Sequence, residues 1–377
     1  MLVLLGLVMV LVVASWSWID AQARAAVVLL SVLETPVLTP AVEVLTPEPR
    51  VEDTVFAGRP ALVAKPAGDE PWPAILFVNG TIPEGRKYPE VQNLARGLAQ
   101  AGYLVVVPDL PGLTTDEITE ETVSSTVEAA RAVAERPDAR DGRVGLIGVS
   151  TGATLSLLAA ENPEVRERIW AVAGIAPYTD IRTVLNIATT GHYWDGENYA
   201  PYEADPFLSY AIARSLLAAL PSGEDRDVLR EELQEIDRLD QDPLAGLRAR
   251  STGDLSPEAR RVVELLANED PERFDKLYEA LSLEIRARME KLSPLARDER
   301  ISAPVELASG SRDKYFPVSE SFAVDRIAAD HRVTVSEAID HSEVRFSNIP
   351  AFVKLDGFVV RSLREARRTE PANQETS

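Results

Sequence analysis

Short apolar runs alternate along this chain with stretches whose apolar positions recur every three or four residues. The runs predict strands over 51–56, 61–65, 74–78, 104–107, 144–149, 171–176, 304–307 and 333–338. Helical spacing falls between them. It covers 89–100, ended by Gly102, and 153–160 after the fifth strand. Another helix is predicted from Thr115 as N-cap through Ile118, Val123, Val127, Ala130 and Ala134 to the stop at Pro137. Strands and helices that alternate with short connections imply an α/β fold, a mainly parallel sheet with helices on both faces. In such sheets ligands bind beyond the carboxyl ends of the strands.

Roughly 120 residues separate the strand at 171–176 from the strand at 304–307, more than a connecting loop requires, so they are expected to form a unit of their own. Ser256-Pro257-Glu258 and Asp270-Pro271-Glu272 each supply a cap residue, a proline at the first helical position and an early acid. Residues 182–297 therefore read as a helical cap inserted into a core of 51–181 and 298–366, with a polar, disordered tail over 367–377. The acidic and arginine-rich stretch 225–240 has the spacing of a solvated helix with opposite-charge pairs. Aromatic rings make up only 6% of the chain, yet Tyr193, Trp194, Tyr199, Tyr202, Phe207 and Tyr210 gather within the cap. Tyr193 and Trp194, with Asn79 from the core, are the candidate lining of a substrate pocket; the same rings equally suit fixing the cap to the core.

The fifth strand runs into Gly148-Val149-Ser150-Thr151-Gly152, a G-x-S-x-G between strand and helix. Small residues two before and two after the serine permit a turn sharp enough to lift its hydroxyl clear of the backbone. Such a hydroxyl becomes a nucleophile only when a neighbouring base removes its proton during attack. Histidine suits that task, and an ionised carboxylate then fixes its tautomer. Three histidines are available. His331 lies between Asp330 and Arg332 ahead of a strand, and His192 lies in the insertion, which leaves His341 after the last strand. Asp313, beyond the strand at 304–307, is the candidate acid. Asp340 and Glu306 also stand near strand ends, but Asp340 adjoins His341 and is expected to point elsewhere.

Serine, acid and histidine in this chain order, each at the carboxyl end of a strand, resemble the α/β-hydrolase superfamily. The resemblance extends over roughly residues 50–365 apart from most of the cap. It implies Ser150 as nucleophile, His341 as general base and Asp313 as orienting acid. It also implies an oxyanion hole built from the backbone N–H groups of Thr151 and Thr81, the latter in the loop Asn79-Gly80-Thr81-Ile82-Pro83. Family members often carry His-Gly where this chain has Asn-Gly, and a backbone donor does not depend on that histidine. No cofactor is implied, and no metal-ligand spacing is recognisable.

Composition sets limits on the rest. With 377 residues, 45% hydrophobic and 26% charged, there is room for one large core domain and an insertion. A formal charge of -21 without a clustered basic surface excludes nucleic acid as a partner. The absence of cysteine excludes disulfides, a thiol nucleophile and cysteine metal sites.

Residues 1–18 carry no charged side chain and end in Ser15-Trp16-Ser17-Trp18. As a helix they would span about 27 Å, close to the thickness of a bilayer's hydrocarbon core, with tryptophans at one interface. A membrane anchor over 1–23 is the favoured expectation. A cleaved signal ending at Ala21-Gln22-Ala23 is the alternative, and a helix packed on the domain a third reading. The favoured location is the extracytoplasmic face, although Arg24 after the apolar run biases the other way. Residues 24–50, with Glu-Thr-Pro and Leu-Thr-Pro spacing, read as an extended linker.

The expected activity is hydrolysis of small or medium carboxylic esters through an acyl-enzyme on Ser150, with a small-molecule ester as partner. A dehalogenase or epoxide hydrolase of this fold would carry aspartate there. A serine peptidase or acyltransferase with the same triad is one competing reading. The other is a catalytically silent, membrane-tethered binding module, which is expected to show a broken triad.

Overall fold

The structure, a computed structural model, describes residues 19–32, 46–238, 240–341, 343–344 and 348–364. Residues 19–32 form helix α1. The first half of the core then alternates β1 (Arg50–Phe56), β2 (Arg59–Lys65), β3 (Trp72–Val78), α2 (Pro89–Gln100), β4 (Leu104–Pro108), α3 (Glu120–Ala134), β5 (Ala139–Val149), α4 (Thr151–Glu161) and β6 (Ile169–Ile175). An insertion follows: α5 (Ile181–Thr190), the hairpin of β7 (His192–Trp194) and β8 (Tyr199–Pro201), α6 (Pro206–Ala218), α7 (Glu224–Gln234), α8 (Ala245–Ala249), α9 (Pro257–Leu266), α10 (Pro271–Ala280) and α11 (Leu283–Glu290). The chain returns to the core with β9 (Val305–Ser309), α12 (Val318–Phe322), β10 (His331–Val335), the short pair β11 (Ile339–Asp340) and β12 (Glu343–Val344), and α13 (Ile349–Arg364).

The main sheet has eight strands in the order β1-β2-β4-β3-β5-β6-β9-β10. From β4 to β10 the pairing is parallel, and β2 enters antiparallel to β4 and to β1. Edge strand β1 is almost wholly exposed and carries Arg50, Glu52 and Asp53, charges that discourage pairing with another chain. A two-residue turn at Ala57-Gly58, both at positive φ, closes the hairpin with β2. Central β3 is buried on both faces, which is why its sequence is continuously apolar.

Side-chain alternation sorts the core into two faces. Ala74, Leu76 and Val78 of β3 join Leu104 and Val106 of β4 in one apolar cluster, with α3, α4 and the insertion. Ile75 and Phe77, with Val105 and Val107, belong to a second cluster that includes Val91, Ala95 and Leu98 of α2 and Val28 of α1. Leu29 extends this face toward Leu355 and Phe358 of α13.

Residues 24–32, expected within an extended linker, are instead helical and packed on the core. Ala21, Ala25, Val28 and Leu29 are buried along one stripe of α1. The Gln22 amide donates to Asp356 at 2.6 Å, and Arg24 pairs with Asp20 at 2.9 Å and donates to the Ala101 carbonyl. A Cβ at Gly97 would lie 2.6 Å from that of Ser31, so only glycine lets α1 and α2 approach this closely. Of the anchor expected over 1–23, residues 1–18 lie outside the described residues, as does the tail after 364, while residues 19–23 belong to α1 with Ala21 buried against the core. Among the described residues no helix is long and apolar enough to cross a membrane.

Two helix starts test the capping logic in opposite ways. Ser256 and Asp270 accept from the N–H groups of Ala259 and Glu272, as their sequences predict. The helix expected to be capped by Thr115 starts four residues later, at Glu120, with Thr119 as N-cap. Residues 112–118 form a turn instead, because their polar groups have other partners: the Glu117 N–H donates to the Gly112 carbonyl, and the Ile118 N–H to Ser215 of α6.

Candidate active site

Ser150 stands between β5 and α4 with φ 56° and ψ -127°, a conformation that costs a non-glycine residue of order 1–3 kcal/mol and persists only where the surroundings enforce it. The neighbours do enforce it. A Cβ at Gly148 would lie 2.3 Å from the Gly152 carbonyl oxygen, and one at Gly152 only 2.1 Å from that of Val78. The Ser150 N–H donates to the Ile175 carbonyl at 2.7 Å, which ties the turn to the end of β6.

His341 follows β11, also at positive φ (52°), and its Nε2 lies 2.8 Å from the Ser150 hydroxyl. Its Nδ1 lies 2.8 Å and 3.0 Å from the two carboxylate oxygens of Asp313. A carboxylate can only accept, so Nδ1 carries the proton and Nε2 is left to accept from Ser150. Asp313 is itself held by the N–H groups of Tyr315 at 2.7 Å and Phe316 at 2.9 Å. Gly310 allows the two loops to meet, since a Cβ there would lie 2.4 Å from the Ile339 carbonyl oxygen. The Tyr315 ring covers the imidazole at 4.1 Å between centroids, and Phe316 meets it edge-on at 5.7 Å.

The other acids and bases are engaged elsewhere. Glu306 pairs with Arg361 at 2.9 Å, and Asp340 is exposed. The His192 and His331 rings contact the carbonyls of Thr190 and Ala328. Thr81 and Thr151 are brought together beside Ser150, the Thr81 hydroxyl donating to that of Thr151 at 3.1 Å. Thr151 is the first residue of α4, so its N–H has no intrahelical acceptor and sits at the positive end of the helix dipole. A Cβ on Gly80 would lie 3.4 Å from that of Ser150, which measures how near the Asn79–Thr81 loop comes.

Ser150, His341, Thr81 and Thr151 open into a cavity of about 620 Å³. Asn79 lines it, 2% exposed, with its amide nitrogen lacking a hydrogen-bond partner among the described residues. Tyr193 and Trp194 do not line it, which corrects their placement as pocket residues. Trp194 is 56% exposed on the β7–β8 hairpin and packs edge-on against Tyr199. Tyr193 packs edge-on against Tyr202, whose hydroxyl donates to the Asp313 carbonyl at 2.6 Å. Burial, with Asp313 nearby, raises the Tyr202 pKa far above the ordinary phenol value, so this donor keeps its proton. These rings thus support the acid loop. Of the aromatic cluster in the insertion, Phe207 lines the cavity; Tyr178, Tyr315 and Phe316 add rings that its composition did not single out.

A mainly parallel sheet with Ser150, Asp313 and His341 gathered beyond its carboxyl edge places the molecule among the α/β-hydrolases. The sequence matches the alpha/beta hydrolase family over residues 75–332, more than half of its length, and the chain belongs to that family. No curated protein matches it by sequence. Among solved structures, Pyrococcus horikoshii acylaminoacyl peptidase is similar at 14% identity and a TM-score of 0.45 over 80% of this chain, which spans only 39% of the peptidase. Est1E from Butyrivibrio proteoclasticus is similar at 13% identity and 0.44, covering 85% of this chain and 99% of its own. A bacterial membrane phospholipase A is similar at 18% identity and 0.42, covering 97% and 99%.

Proposed function

We propose that the protein is a serine hydrolase that cleaves carboxylic esters. The observation that carries this reading is the unbroken chain from Ser150 through His341 to Asp313 at 2.8 Å per link, facing a cavity with mostly apolar walls. In the proposed reaction the Ser150 oxygen attacks the ester carbonyl while His341 Nε2 takes the hydroxyl proton. Asp313 stabilises the imidazolium, and the N–H groups of Thr81 and Thr151 receive the oxyanion. Collapse breaks the carbon–oxygen bond to the alcohol, which leaves with the proton from His341. Water, deprotonated by the same nitrogen, then releases the acid and restores Ser150.

The test is turnover of p-nitrophenyl esters and covalent labelling by a fluorophosphonate, on the full chain and on Ser150→Ala. Loss of labelling together with a fall in kcat of roughly 10⁴- to 10⁶-fold in the variant is the expected result. A folded wild type that neither labels nor turns over ester defeats the proposal. We further propose that residues 1–18, apolar and free of charge, hold the enzyme to a bilayer with its catalytic domain on the extracytoplasmic face. Alkaline extraction of membranes, and protease protection in sealed vesicles, would expose either part of that assignment as wrong.

A further inference from the structure

The cavity at Ser150 draws its walls from both faces of the sheet. Val184, Leu208 and Ile212 of the insertion belong to the apolar cluster on the α3 and α4 face. Val28, Phe77 and Val91 belong to the cluster on the opposite face, and Leu29, Leu355 and Phe358 continue it. Ser150 and His341 line the same cavity, so apolar walls from both faces surround the space in front of the nucleophile. A short ester would leave most of about 620 Å³ of this space unused.

The geometry points to a substrate with an apolar arm on each side of the scissile ester, a long-chain lipid ester, with α1 forming the wall against which one hydrocarbon arm lies. This inference rests on the hydrolase reading and adds the substrate class. Val28, Leu29 and Val32 of α1 all line the cavity, at the spacing that puts them on one face of a helix. Leu94 of α2 and Val359 of α13 line it as well. None of these five side chains offers a hydrogen bond, so what they recognise is hydrocarbon, and each seated methylene is worth roughly fourfold in binding. The wall is not an accident of a loose terminus. Gln22 and Arg24 are hydrogen-bonded to the core, and Gly97 receives Ser31 in close contact.

The experiment compares the full chain with Leu29→Trp, Val32→Trp and Ala26→Trp on p-nitrophenyl acetate, octanoate and dodecanoate. Ala26 is on the exposed face of α1 and serves as control, whereas Val32 is half-buried and gives a second filled cavity should Leu29→Trp not fold. Fluorophosphonate labelling of Ser150 identifies the folded variants. The expected result is a wild type whose kcat/KM rises with chain length. The dodecanoate-to-acetate ratio should then fall at least tenfold in the Leu29 or Val32 variant and stay at the wild-type value in Ala26→Trp. A labelled wild type with no gain beyond acetate overturns the inference. So does a ratio unmoved by both wall substitutions, or one moved equally by Ala26→Trp. Failure of the wild type to label at all counts instead against the hydrolase reading.

Discussion

The elbow around Ser150 and the inserted cap meet at one cavity but are held by different forces. At the elbow, backbone lies against backbone: Gly148 and Gly152 leave no room for a methyl group, and Ser150 keeps a costly conformation because nothing nearby can yield. The cap is joined to the core by a shared apolar cluster and by side chains reaching across, such as Arg230 to Glu117 at 2.7 Å, Arg238 to Asp116 at 3.1 Å and Lys291 to Glu120 at 2.7 Å. Chemistry that needs sub-ångström placement thus sits on the rigid part. The cap's share of the cavity wall rests instead on contacts that can be exchanged one at a time.

The largest effect that would test this division is Asp313→Asn. The fold should survive, but kcat on p-nitrophenyl esters should fall by about 10⁴-fold, because an amide favours the wrong imidazole tautomer. A drop below tenfold would mean that the acid loop does not orient His341. Gly152→Ala comes next. Its Cβ meets the Val78 and Asn79 carbonyl oxygens at 2.1 Å and 2.4 Å, which only backbone movement can relieve. Urea denaturation should show a loss of 3 kcal/mol or more, roughly the scale of severe overpacking.

Glu161 gives a smaller, pH-dependent effect at the core end of α4. Its carboxylate is buried without a hydrogen-bond partner among the described residues, at the negative end of the helix with Arg297 3.9 Å away, and burial pushes its pKa up to about 8 from 4.5. Between those values the folded protein holds a proton that the unfolded chain releases, so stability falls as pH rises through that window. Midpoints of urea denaturation should drop between pH 5.5 and 8.5 by an amount equivalent to a few kcal/mol, and Glu161→Gln should lessen the drop, leaving the part due to buried Glu320, whose pKa burial raises to about 7. A wild-type curve that rises over this range would show the assigned sign to be wrong. The smallest effect belongs to the cap's rim. Lys291→Ala removes an exposed ion pair and should change stability by under about 0.5 kcal/mol; a loss above 2 kcal/mol would make the cap as intolerant as the elbow.

The parts that sequence made readable are those whose geometry is written in neighbouring residues. Gly148 and Gly152 flank Ser150 directly, the Ser256 and Asp270 caps sit beside their prolines, and the order of serine, acid and histidine needs only strand ends to be located. Thr115 has a cap's residue type and position but does not cap, because the Gly112 turn and Ser215, far along the chain, claim the donors that a helix start there would present. Tyr193 and Trp194 are aromatic and close in sequence to other rings, but a two-strand hairpin decides which way they face, and it turns them to Tyr202 and Tyr199. Helix α1 did leave a signal. Ala21, Ala25, Val28 and Leu29 fall at helical spacing, but the proline-spaced stretch that follows them gives residues 24–50 the pattern of one extended segment.

The hydroxyl of Tyr202 and the N–H of Asp205 both bond to backbone carbonyls of the acid loop, at Asp313 and at Lys314. For anyone recombining lids between related hydrolases, residues 182–297 are therefore not a portable module. A crossover placed before β9 would pair a foreign lid with a native acid loop and sever both bonds. One placed after Pro317 would transfer the lid together with the loop that aims His341.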